Sequence, residues 1–101
     1  MRTALLLGLV LGGCGGGPPP PVTPVHASWA ATRWAGVTLA DLEEGRRLYR
    51  AKCSGCHLPV APADVTRAAW PGHVAEMRER AHLEPTQVTL IERYLVTLAE
   101  R

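Results

Sequence analysis

From Thr38 onward the apolar positions of this chain recur at helical spacing, and no run alternates as a strand would. Leu42, Gly45, Leu48 and Tyr49 fall on one face of a helix predicted from Leu39 to about Lys52. Thr38 is a good N-cap, and Asp41 completes a capping box with Asp in place of Glu. Asp41, Glu43 and Glu44 sit toward its positive end, and Arg46, Arg47, Arg50 and Lys52 toward its negative end, which suits the macrodipole. A second helix is predicted from about Thr66 to Ala81, with Trp70, Val74, Met77 and Ala81 on one face. Pro71 suggests that the helix proper begins near Trp70. A third helix starts at Pro85 and runs toward Glu100. Its stripe is Val88, Ile91, Leu95 and Leu98, widened by Leu90 and Tyr94, with Glu92, Arg93 and Glu100 facing out. The fold class expected is all-α, with about three helices. Gly45 costs its helix about 1 kcal/mol relative to Ala. A closely crossing helix would explain it, and Tyr94 is the natural partner.

The pattern before Thr38 is different. Met1-Arg2 is followed by an apolar run from Ala4 to Leu11, too short for the ~20 residues that span a bilayer. Leu11-Gly12-Gly13-Cys14 resembles a bacterial lipobox, which makes residues 1–13 a lipoprotein signal peptide and Cys14 the lipidated first residue. Residues 14–37 then read as a Gly/Pro-rich tether, with Pro18 to Pro21 in extended polyproline II and His26 solvated. Trp29 and Trp34 are costly to leave in water. They are expected to pack on the domain or cover the edge of a bound group, with a partner contact as the alternative. Residues 38–101 form the globular domain.

Charge excludes some classes. The chain of 101 residues carries a formal charge of +2, with no basic patch that would suit nucleic acid. Of its three cysteines, two lie in Cys53-Ser54-Gly55-Cys56-His57. CxxCH is the attachment signature of c-type haem. Two thiols one helical turn apart share a face and can both reach one edge of a porphyrin. The adjacent His57 then lies beneath the iron as proximal ligand. A structural zinc site would need four ligands, and a second such pair is missing from the sequence. A thioredoxin-like dithiol would be expected near a βαβ pattern, which is also missing.

A haem iron needs a further ligand if both its faces are closed. Met77 is the only Met after Met1 and stands on an apolar helical face 20 residues beyond His57. His73, one turn earlier on nearly the same face, is the alternative. His82 points elsewhere on an ideal helix. In the loop after His57, the Pro62 carbonyl is the candidate acceptor for the His57 Nδ1–H, which would leave Nε2 for iron.

Residues 38–101 resemble a small single-haem class I cytochrome c. The first helix with Gly45 and Tyr49, then CSGCH, then a last helix carrying Tyr94-Leu95, match that family's crossed terminal helices. The stretch from Pro62 through Trp70-Pro71 to Val74 and Met77 is similar to compact haem domains of bacterial dihaem cytochromes. In many class I members the Met ligand lies farther from the His than Met77 does here. The resemblance implies one covalent haem c held by Cys53, Cys56 and His57, with Met77, Trp70 and Pro62 around it. It implies an electron carrier rather than an enzyme, lipid-anchored at the bacterial cell envelope and facing the periplasm. The expected partners are redox proteins, namely a membrane donor complex and a terminal acceptor, with the chain a monomer or a subunit of a redox complex. The alternative is a haem-based ligand sensor or a peroxidase-like protein with an open or His-ligated sixth site.

Overall fold

The computed structural model describes residues 18–53 and 60–101. It is all-helical, with four α-helices and no strand among the described residues. They are α1 (Pro24–Arg33), α2 (Leu39–Cys53), α3 (Trp70–Ala81) and α4 (Pro85–Leu98), with a 3-10 turn at Pro62–Asp64.

The first turn of α2 is held as its sequence suggests. Asp41 N–H donates to Thr38 Oγ1 at 3.2 Å, and Thr38 N–H donates to Asp41 Oδ2 at 3.0 Å. α4 carries a less obvious capping box: Glu84 is its N-cap and Gln87 its third residue, with Glu84 N–H donating to Gln87 Oε1 at 2.9 Å. α3 begins at Trp70, where Pro71 lacks an N–H that the helix would leave unpaired anyway. It stops at His82, whose φ of 55° takes the chain into the left-handed region.

α2 and α4 share the most extensive helix–helix interface of the described residues. Gly45 sits at their crossing. A Cβ there would collide with the Leu90 carbonyl oxygen and come within 2.9 Å of Tyr94 Cβ. Glycine is therefore required by the backbone of α4, with Tyr94 as the second contact. The main core gathers around this crossing from Leu48, Tyr49, Trp70, Val74, Ile91, Tyr94 and Leu95.

The stretch read as a free tether is largely structured. Residues 24–33 form α1, capped by a Thr23–His26 box in which Thr23 N–H donates to His26 Nδ1 at 3.0 Å. His26 is thus a half-buried capping residue rather than a solvated one. Ala30 of α1 is fully buried beside Val37 and Leu42. The preceding residues are fastened too. Tyr94 O–H donates to the Pro20 carbonyl at 2.6 Å, and Arg46 Nε donates to the Pro19 and Pro20 carbonyls at 3.0 and 3.1 Å.

Trp29 and Trp34 pack edge to face, with centroids 6.2 Å apart. Three guanidinium groups intercalate with them. Arg67 lies 4.6 Å over Trp29, Arg93 lies 5.4 Å over Trp34, and Arg33 approaches both rings. The stack joins α1 to α4 and to the segment before α3. Arg93, expected to face solvent, is half-buried within it.

Candidate functional site

The C-terminal turn of α2 brings Cys53 to an apolar recess of about 140 Å³. Tyr49, one turn before Cys53, forms the same wall. Val60 and Val65 contribute from the connecting segment, and Trp70, His73, Glu76, Met77 and Arg80 from α3. The α3 residues recur at three- and four-residue spacing, so one side of that helix faces the recess.

Trp70 is the fixed point of this wall. It is 2% exposed, and its Nε1–H donates to the Pro62 carbonyl at 3.0 Å. Tyr49 meets it edge-on at 6.2 Å, and His73 does so at 5.9 Å. Tyr49 O–H in turn donates to the Val60 carbonyl at 2.5 Å. These two bonds bind the segment around Val60–Pro62 to both α2 and α3. Burial pushes the Tyr49 phenol well above its ordinary range, with the nearby Cys53 and Tyr94 adding to the effect. Burial also pushes the Cys53 thiol up.

Cys53, Trp70, Met77 and His73 therefore meet at one place. Pro62 stands behind Trp70 and outside the recess, with its carbonyl accepting from the indole. The expected Pro62 bond to His57 involves a residue outside the described ones, as are Cys14 and Cys56. Trp29 and Trp34 do not line the recess and pack against the core instead. Five wall residues, Tyr49, Val60, Val65, Glu76 and Arg80, are not marked as site residues by the sequence alone. Tyr49 was legible in principle, because it stands four residues before Cys53.

A larger hollow of about 550 Å³ opens between the Pro20–Pro21 segment, α1, the 3-10 turn and the end of α4. Among the described residues it is lined by no thiol or thioether. The described residues hold no group of three or more His, Cys, Asp or Glu side chains placed to bind a metal ion. None of the described helices is long and apolar enough to cross a membrane. Compared with family models, curated proteins and solved structures, the chain matches none.

Proposed function

We propose that this chain is a membrane-tethered electron carrier of the class I cytochrome c kind, holding one haem c through Cys53 and Cys56. The observation that carries the reading is the Cys53–His57 motif at the end of α2, whose first cysteine lines the same apolar recess as Met77. The residues there suit the edge of a flat apolar ring. They supply an aromatic and aliphatic wall, a thiol at its margin and a thioether opposite α2. The recess takes in an edge, not a whole macrocycle.

When bound, the haem supplies a one-electron couple at its iron. Cys53 and Cys56 would hold the ring covalently. His57 and Met77 would hold its iron, leaving no place there for a substrate. A thioether ligand favours the reduced iron and raises the potential. Trp70, held by Pro62, would keep water from the ring. Cys14 carries the lipid, and the domain faces the periplasm, exchanging electrons with a membrane donor and a terminal acceptor. Small, transient interfaces, below about 1,200 Å², suit such exchange.

A second reading has one observation in its favour. His73 lies in the recess wall, exposed and one turn from Met77. A His-ligated or open sixth site would make the chain a sensor or a peroxidase-like protein. Visible spectra and potentiometric titration of wild type, Met77→Ala and His73→Ala separate the readings. The carrier reading expects a low-spin spectrum, slow carbon monoxide uptake by the reduced form, and a lowered potential in Met77→Ala only. An unchanged potential in Met77→Ala, or rapid carbon monoxide uptake by wild type, would sink it.

A further inference from the structure

We infer that the outer face of α1 and the proline segment before it form a bilayer-contacting surface, which sets how the domain sits on the membrane. The inference rests on the proposed lipidation of Cys14. It starts from length. Were residues 14–37 a free tether, those 24 residues would reach about 80 Å when extended. The structure fastens the chain much sooner. Pro19 is buried, and its carbonyl and that of Pro20 are held by Arg46 and Tyr94. Only five chain steps separate Cys14 from Pro19, and five steps span about 17 Å at most. A domain on so short a leash cannot present every face to the bilayer.

The face nearest the anchor has the composition for that contact. Residues 18–32 contain no Asp, Glu, Lys or Arg. The outer side of α1 is Val25, Ser28, Ala31 and Thr32, all exposed and all uncharged. Pro21 and Pro24 are exposed beside them. Val25 is 77% exposed, the most open large hydrophobic among the described residues. An interfacial surface of this sort needs few charges to desolvate and some apolar area to bury. α3 is unlike it. α1 packs on α4 and α2 and makes no contact with α3, whose exposed side carries Glu76, Arg78, Glu79 and Arg80.

The test uses the full lipidated holoprotein on phosphatidylcholine–phosphatidylglycerol vesicles, with haem kept ferrous. Nitroxide labels are placed singly through Val25→Cys and Glu79→Cys. The expected result is that vesicles reduce severalfold the access of a water-soluble nickel chelate to the label at position 25. Access at position 79 should stay as it is in detergent. Adding Arg46→Ala and Tyr94→Phe, which release the prolines, should erase the difference between the two positions. Vesicle flotation with equal access at both positions would overturn the inference and leave the anchor standing. Failure to float at all would overturn the anchor, and the inference with it.

Discussion

The two flanks of α2 are built on opposite plans. On one, α2 and α4 cross so closely that a single Cβ at position 45 would strike backbone. On the other, α2 and α3 meet sparsely and leave between them the recess that holds Cys53 and Met77. The first contact is complete in itself. The second is a wall that the described residues leave incomplete, tied back by hydrogen bonds from the Tyr49 and Trp70 side chains to backbone carbonyls. The difference suggests which flank supplies stability and which supplies chemistry: rigid packing on one side holds the edge of the recess on the other.

The contrast breaks most sharply at Gly45. Gly45→Val forces α2 from α4 and is expected to cost about 3 kcal/mol or more. Even Gly45→Ala should destabilise, although alanine is otherwise the better helix former by about 1 kcal/mol. Urea denaturation of the holoprotein checks both. On the recess side, Trp70→Phe keeps most of the packing but removes the indole bond to the buried Pro62 carbonyl, which keeps only the 3.4 Å bond from Val65 N–H. The expected loss is about 0.5–1.5 kcal/mol, accompanied by a changed visible spectrum, which Gly45→Ala should not produce in the protein that remains folded.

A smaller effect depends on pH. Burial raises both the Tyr49 and the Tyr94 phenols in the folded chain. The folded state then holds these protons more tightly than the unfolded one. Their contribution is full below the unfolded value of about 10 and is lost as pH rises through the folded values. Urea midpoints should therefore fall above about pH 10, and the fall should be shallower in Tyr49→Phe and Tyr94→Phe. The same midpoint in wild type and both variants across that range would contradict it. The smallest change is favourable. Gly72 in α3 has open space where a Cβ would go, so Gly72→Ala should add about 0.5–1 kcal/mol. A glycine on each flank thus answers the same substitution with opposite sign.

Much of this was legible in the residues. The three helices from Leu39 onward follow the recurrence of Leu, Val, Ile and Tyr, and Gly45 announced the crossing because a helix-interior glycine needs a reason. α1 was not legible. Its residues Ser28, Ala30, Ala31 and Thr32 form no apolar stripe, and its flanking prolines read as extended chain. What makes it helical and docked is tertiary: the buried Ala30, the Thr23–His26 box and the three-arginine stack on Trp29 and Trp34. The recess was half legible. Cys53, Trp70, Met77 and His73 were marked by chemistry or by shared helical face. Glu76 and Arg80 were not marked, since charged residues flanking a site look the same in a sequence as charged residues facing only water.

Every functional statement above depends on the two sulfurs of residues 53 and 56 being bonded to a macrocycle. The direct measurement is mass spectrometry of the mature chain after unfolding in acid and treatment with a thiol alkylating reagent, using protein from a host that matures c-type cytochromes. The account predicts a red polypeptide heavier by one haem, with no alkyl group on Cys53 or Cys56. A colourless chain of bare mass that takes up reagent at both cysteines would contradict it.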